Sequence, residues 1–409
     1  MLFLDEAERC LLCKVPRCKQ NCPINTPIPE IISLYRNGEI EKAGEVLFQN
    51  NPLSLVCSIV CPHENQCKGN CVRGLKGEPI RFHDIETEIS EDYFKKLHFE
   101  NTPKDKDKIA IIGGGPAGIT IALILARKGF KVTIFDANPK IGGVLRYGIP
   151  EYRLTNKLID DIENKLLQLG VTIRPNTLIG PIITLDKLLS DGYKSIFIGT
   201  GVWNPQPLNI KGETLGTTHY AIDYLKSPEV YNLGNKVVVI GAGNVAMDAA
   251  RTAKRSGVKE VYVIYRKSEA DMSATREEIK EAREDGVIFK FFRAPLEITE
   301  DGIKLAYTEN VIDENGRVST KILEGQEEFF PCTSTIIAVS QLPKTNIVST
   351  SADLQTNNRG FVIIDEKGTT SKKGVFSSGD VVTGGKTVVE AVAKAKIVAD
   401  AMEEYCLNN

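Results

Sequence analysis

The segment Ile109-Ala-Ile-Ile-Gly-Gly-Gly-Pro-Ala-Gly118, continued to Phe135-Asp136, leaves this chain few folds to choose from. A run of apolar, mostly β-branched residues ends in Gly113-x-Gly115-x-x-Gly118. The apolar helical stretch Ile119 to Ala126 follows, and a second strand, Lys131-Val-Thr-Ile-Phe135, delivers Asp136. Gly113 permits a tight turn, Gly115 lets the backbone approach a pyrophosphate, and Gly118 lets the helix pack on the strand. The helix N-terminus offers unpaired N–H groups and a positive dipole end to the same anion. Asp136 stands 18 residues beyond Gly118, near the spacing of a carboxylate that accepts from a ribose hydroxyl. Strand, helix, second strand and acid together read as a dinucleotide-binding unit.

A second unit of the same kind lies within Lys236-Val-Val-Val-Ile-Gly241-Ala-Gly243-Asn244-Val-Ala246, with a helix from Val245 to Lys254 and a strand Val261-Tyr-Val-Ile-Tyr265. Where the first unit has Asp136, the second has Arg266-Lys267. A carboxylate repels a 2′-phosphate and two cations bind it. The first unit therefore suits FAD and the second suits NADPH, rather than NADH; the competing reading of Arg266 and Lys267 is a pair of solvated loop charges.

Ten cysteines are many for a chain of 409 residues, and eight of them fall between Cys10 and Cys71. They form two groups, Cys10-x2-Cys13-x4-Cys18-x3-Cys22-Pro23 and Cys57-x3-Cys61-Pro62-x5-Cys67-x3-Cys71. Such crowding in a reducing compartment favours metal over disulfides. Eight thiols could bind zinc in fours, but the Cys-Pro step in both groups is typical of iron-sulfur runs. Between the groups, Ile28, Ile31, Ile32 and Tyr35 fall at helical spacing with Gly38 to close the helix, and Ile40, Ala43, Val46 and Leu47 predict another. Residues 81–98 read as a helix leading out, and Asn101-Thr-Pro-Lys-Asp-Lys-Asp-Lys108 as a polar domain linker.

After Asp136 come the glycine-rich loop Gly142 to Arg153, a helix over 155–169, and the short buried strand Ser195 to Gly201. Residues 287–335 read as short strands with a turn at Asp313-Glu-Asn-Gly316, and Thr335 to Val339 as a closing strand. Last come Gly379-Asp380, Lys386-Thr-Val388 and an alanine-rich helix to Met402. An aspartate at a strand end facing a helix N-terminus can bind a ribityl hydroxyl while the helix dipole faces the flavin ring.

Lysine plus arginine number 51 against 53 acids, which excludes a nucleic-acid binder driven by basic charge. The apolar runs are far short of a membrane span, and the N-terminus lacks the basic start and apolar core of a signal peptide. The chain reads as soluble and cytoplasmic.

On these residues the chain resembles the glutamate synthase small subunit family, which includes the electron-input subunit of bacterial dihydropyrimidine dehydrogenase and the large subunit of NADH-dependent ferredoxin:NADP oxidoreductase. Both cysteine groups, GGGPAG, GG-x5-IP-x2-R, GAGNVAMD, YRK and GD-x6-TVV occur in that family's order. The resemblance implies an α/β chain of two Rossmann-like domains, the second inserted in the first, preceded by a small helical iron-sulfur domain. The expected bounds are 1–103 for the helical domain, 104–230 with 341–409 for FAD, and 231–340 for NADPH.

It further implies two [4Fe-4S] clusters with crossed ligation: Cys10, Cys13, Cys18 and Cys71 for one, and Cys22, Cys61, Cys67 and Glu86 for the other, with Cys57 a buried bystander. FAD contacts fall on Gly113, Gly115, Gly118, Asp136, Gly143, Arg153, Gly379, Asp380 and Val388. Those to the nicotinamide nucleotide fall on Gly241, Gly243, Asn244, Arg266 and Lys267. The implied activity is hydride transfer from NADPH to FAD, with single electrons passed on to a catalytic or electron-accepting partner subunit. His83-Asp84 departs from a glycine common in the family motif that leads to Glu86. The alternatives are a subunit of a bifurcating ferredoxin:NADP oxidoreductase, or a self-contained flavin disulfide reductase. The latter needs a redox Cys-x-x-Cys beside the flavin, and residues 109–331 contain no cysteine.

Overall fold

The computed structural model describes residues 1–99, 103–312 and 318–409. The first residues of the expected linker, Asn101 and Thr102, and the expected turn at Asp313 to Gly316 lie outside the described residues. The chain forms two compact units, one of Met1–Arg146, Glu151–Asn204 and Leu342–Asn409, the other of Tyr147–Pro150 and Pro205–Gln341.

The first unit is built on a five-stranded sheet in the order Val375–Ser377, Tyr193–Ile198, Lys108–Ile112, Lys131–Phe135, Thr172–Arg174. Every pairing is parallel, with Ile111 opposite Ile134 on one side and Phe197 on the other. Parallel strands covered on both faces need continuous apolar sequence; accordingly Ile109, Ala110 and Ile111 are fully buried. Helices Pro116–Arg127 and Val388–Asn408 pack together in this unit, and the former is buried over nine of its twelve residues.

The same unit contains the N-terminal helices Ile28–Arg36, Ile40–Asn50, Ser54–Val60 and Phe82–Lys96. Ile31, Ile32, Tyr35, Ala43, Leu47, Ile85 and Ile89 form their core. Gly38, at φ 78°, ends the first of these helices. Its N–H bonds Tyr35 O at 3.0 Å and the Glu39 N–H bonds Leu34 O at 2.9 Å, the paired contacts of a Schellman cap.

The helices before residue 103 fall in the same compact unit as the sheet that follows. The Lys396 ammonium bonds the carbonyl of Asn50 at 2.6 Å, the Arg127 guanidinium lies over the Phe48 ring, and Leu158 and Ile162 line one small cavity with Phe48, Leu53, Val56 and Tyr93. Apolar faces on both sides of the linker bury one another, and a polar linker sequence carries no sign of that.

The second unit repeats the plan. Its five parallel strands run Thr218–Tyr220, Ser334–Ile337, Lys236–Ile240, Glu260–Ile264, Ile288–Lys290. The main segment of this unit is Pro205–Gln341, and Thr218–Tyr220, ahead of the expected residue 231, pairs with Ser334–Ile337 as the sheet edge. A second, antiparallel sheet joins Arg293–Thr299, Gly302–Ile312 and Val318–Pro331. The last two are long strands where short ones are expected. The register shifts opposite the Ala306 to Thr308 step, and Gly325 at φ 74° absorbs extra residues there as a bulge. Among the described residues no helix is long and apolar enough to cross a membrane.

Candidate functional site

Four glycine-bearing loops meet at the C-terminal edge of the first sheet. Gly113 leaves strand Lys108–Ile112 at φ 99°, and a Cβ there would stand 2.5 Å from Gly199 O. A Cβ on Gly118 would stand 2.1 Å from Gly113 O, so the helix rests directly on the turn. Gly143 would place a Cβ 2.8 Å from Gly115 Cα, and Gly142 N–H bonds Gly114 O at 2.7 Å. Gly379, at φ 78°, lies with its ideal Cβ 3.7 Å from that of Ala117, on the first turn of the same helix. Gly115 is the helix N-cap and makes no side-chain cap bond. The first N–H groups are thereby left to an anion. Backbone that only glycine can bring this close, beside an uncapped helix start, fits a pyrophosphate and hence a dinucleotide.

Asp136 is buried. Its Oδ2 accepts from Gly114 N at 2.8 Å and its Oδ1 from Asn138 N at 2.8 Å, so the carboxylate is oriented by the fingerprint loop itself. Asp380 accepts from Lys386 N at 3.1 Å. Burial pushes its carboxyl up to about 6, and Glu390 pushes the same way. Val388 opens helix Val388–Asn408, capped by Thr387 and Glu390 in a reciprocal box. Arg153 is half-buried in the turn before helix Asn156–Gln168. The participation of Gly114, Gly142 and Gly199 is not stated by the motif, because each acts through a contact distant in sequence.

In the second unit, Gly241 at φ 141° would place a Cβ 2.2 Å from Ala338 O. Gly243 caps helix Asn244–Arg255, again with no side-chain cap bond. Asn244 Oδ1 accepts from Thr275 N at 3.2 Å, and Ala274 N–H bonds Ala242 O at 3.0 Å. The loop Ser273 to Thr275, which sequence reasoning missed, thus closes against the fingerprint. Arg266 and Lys267 follow strand Glu260–Ile264; their carbonyls are pinned by Thr308 Oγ1 at 2.7 Å and Phe292 N at 3.2 Å. Arg266 is exposed and Lys267 half-buried. Asp271 lies within electrostatic reach of Lys267.

The cysteines separate into two sets. Burial raises the Cys10 thiol and pushes Cys18 up to about 11; Cys13 and Cys71 lie close enough to raise both further. Around Cys67, burial, Glu86 and Cys22 hold the thiol well above its usual range. A hydrogen bond with Cys57, then burial, does the same to Cys61, with Glu86 and Cys67 adding to it. Glu86 is 7% exposed, and burial followed by Cys57 keeps its carboxyl well above the carboxylate range.

Burial disfavours the charged forms of Cys10, Cys18, Cys61, Cys67 and Glu86, and a cationic centre beside each group would offset that cost. Among the described residues no three such side chains converge as on a single metal ion; a [4Fe-4S] cube takes one ligand per iron. Cys57 is buried, hydrogen-bonds with Cys61 and faces Glu86. Beside this set the rings of His63 and His83 stack at 4.4 Å, and burial pushes His63 down to about 3.

Residues 107–395 match the pyridine nucleotide-disulphide oxidoreductase family, and residues 2–97 match dihydropyrimidine dehydrogenase domain II, 4Fe-4S cluster. The chain is 32% identical to the glutamate synthase [NADPH] small chain of Escherichia coli, over 98% of this chain and 90% of that protein. It is 29% identical to the NAD-dependent dihydropyrimidine dehydrogenase subunit PreT of the same organism, over 99% and 94%. Among solved structures, Mycobacterium tuberculosis FprA in complex with NADPH shares the fold at TM-score 0.63 and 19% identity, over 74% of this chain and 85% of that one. This chain belongs to the glutamate synthase small-chain family of FAD-dependent pyridine nucleotide-disulphide oxidoreductases and carries that family's N-terminal 4Fe-4S domain.

Proposed function

We propose that this chain is the electron-input subunit of a larger oxidoreductase. It takes a hydride from NADPH onto FAD and passes electrons singly, by way of two [4Fe-4S] clusters, to a partner subunit of the glutamate synthase or dihydropyrimidine dehydrogenase type. The observation that carries this reading is that both cysteine sets and the FAD fingerprint belong to one compact unit. A flavin that reduced a small molecule by hydride would have no use for one-electron groups built into the same body. The relatives described above are a small chain and a subunit by name, which supports a partner of this kind.

When bound, the flavin supplies the exchange between two-electron and one-electron chemistry. The chain's own residues bind and orient. Gly113, Gly115, Gly118 and Gly143 cradle the FAD pyrophosphate, Asp136 takes the ribose, and Gly379, Asp380 and Val388 face the ribityl and ring end, with Arg153 beside the glycine-rich loop. Gly241, Gly243 and Asn244 receive the nicotinamide nucleotide, and Arg266 with Lys267 selects its 2′-phosphate. Cys10, Cys13, Cys18 and Cys71 hold one cluster, and Cys22, Cys61, Cys67 and Glu86 the other. No side chain is required as acid or base. The purified chain should oxidise NADPH with an artificial dye, yet turn over neither glutamine with 2-oxoglutarate nor uracil until a second subunit is added. Steady turnover of either by the chain alone would overturn the reading.

A further inference from the structure

Large apolar side chains are exposed around one of the two cysteine sets. Leu11, Val15 and Leu75 are 57%, 69% and 68% exposed, and Leu12 is 37% exposed. They come from the two loops that carry Cys10, Cys13, Cys18 and Cys71. Those loops are tied together by Arg9, which bonds the Glu78 carbonyl at 2.6 Å, and by Arg81 N–H, which bonds Glu6 at 2.8 Å. Leu12 sits at φ 46°, a conformation that side chains of its kind rarely adopt. There its N–H points at the Cys10 thiol. The backbone is held so that the cysteine is satisfied and the leucine faces out, which ties the apolar surface to the cluster ligand beneath it.

The exposed charges within these two loops, between Glu8 and Glu30 and between Glu64 and Glu78, are all basic. Lys14, Arg17, Lys19, Arg73 and Lys76 are exposed. Residues 9–29 and 65–77 contain no Asp or Glu, in a chain whose charges nearly balance over its whole length at 51 against 53. An apolar centre with a charged rim is the anatomy of a protein interface, and a rim of one sign selects and steers a partner of the other.

We propose that the surface of Leu11, Leu12, Val15 and Leu75 is the electron-exit face, and that it docks an acidic protein surface bearing a one-electron acceptor, the partner subunit's own. The proposal rests on the electron-input reading and adds where electrons leave and what charge receives them. Each NADPH gives up two electrons and becomes NADP+, releasing a proton to solvent. Two acceptor centres are then each reduced by one electron, in two dockings or along one bound partner.

Two haem proteins serve as probes, a soluble acidic b-type cytochrome and a basic c-type cytochrome, each taking one electron from the NADPH-fed holoprotein. The acidic probe should be reduced at least roughly tenfold faster at low salt, and its advantage should vanish as ionic strength rises past the screening range. Arg73→Glu with Lys76→Glu should lower the rate with the acidic probe by roughly tenfold and leave the basic one unchanged or faster. Leu75→Ser should slow the acidic probe without changing the salt slope. Flavin reduction by NADPH and the cluster resonance signals should stay unchanged in all variants. Equal rates with both probes, or indifference to charge reversal while the clusters are reduced, would overturn the proposal. Clusters that NADPH never reduces in the unmodified protein would instead overturn the electron-input reading, and this proposal with it.

Discussion

Thr87 hydrogen-bonds Ser58 hydroxyl to hydroxyl at 2.8 Å, and Ser58 donates to the Leu55 carbonyl at 2.8 Å. A second rung, Ser90 to Ser54 at 3.1 Å, lies one helical turn away. These rungs fix helix Phe82–Lys96, which carries Glu86, against helix Ser54–Val60, which leads from Cys57 to Cys61. Under the proposed ligation, Thr87 is a positioning residue for the cluster that Glu86 would bind. Thr87→Val should cost about 1 kcal/mol in stability and shift the paramagnetic signal of one cluster only, with Thr87→Ser restoring it. Glu86→Ala should disturb that same signal far more and spare the other; unchanged signals and iron content would reduce Glu86 to a buried carboxyl.

The glycine cradle predicts a steep contrast between two small substitutions. Gly118→Ala places a methyl 2.1 Å from a backbone carbonyl. It should lose bound FAD and destabilise by roughly 1–3 kcal/mol, because backbone cannot yield as a side chain can. Gly216→Ala meets nothing within 4 Å and should be nearly silent. Thermal unfolding and flavin absorbance of the two variants check this.

Arg266 and Lys267 predict that NADPH reduces the flavin at lower concentration than NADH. Replacing both by alanine should remove most of the preference. Charge-assisted contacts are worth about 1.5–3 kcal/mol, so discrimination should fall on the order of tenfold to a hundredfold. Rapid-mixing titrations with both nucleotides measure it, and equal use of the two by the unmodified protein would count against the assignment.

Asp380 gives a pH dependence. Its folded pKa of about 6 lies above the ordinary 3.8, so the neutral carboxyl is favoured in the fold. The stability this contributes is complete below about pH 4 and is lost as pH rises through about 6. In flavin-free protein, Asp380→Asn should flatten that segment of the stability curve; a curve of unchanged shape would contradict the assignment.

The parts legible in sequence are those whose cause is local. Gly113 and Gly118 announce a turn that no other residue fits at those positions, and Ile28 to Tyr35 followed by Gly38 spell out a helix and its cap. What was not legible depends on chain segments far apart. Nothing near Gly142 says that it bonds Gly114, and nothing at Thr218 says that it completes a sheet edge with Ser334–Ile337. The long strand Val318–Pro331 is hidden by Glu324-Gly-Gln-Glu-Glu328, a polar run in which Glu327 and Glu328 pair through their backbone while the residues before them form the bulge. The cysteine spacing pointed to metal binding, and the nearness of Cys57 to both Cys61 and Glu86 comes from helix packing that spacing alone does not encode.

The central claim is tested most directly by adding NADPH to anaerobically purified protein carrying about one FAD and about eight iron per chain, and following flavin absorbance and low-temperature paramagnetic resonance together. The account predicts that the flavin bleaches and that reduced-cluster signal appears from the same NADPH, without any partner present. Stoichiometric zinc with no acid-labile sulfide, or a flavin that bleaches while a full complement of clusters stays oxidised at every NADPH concentration, would contradict it.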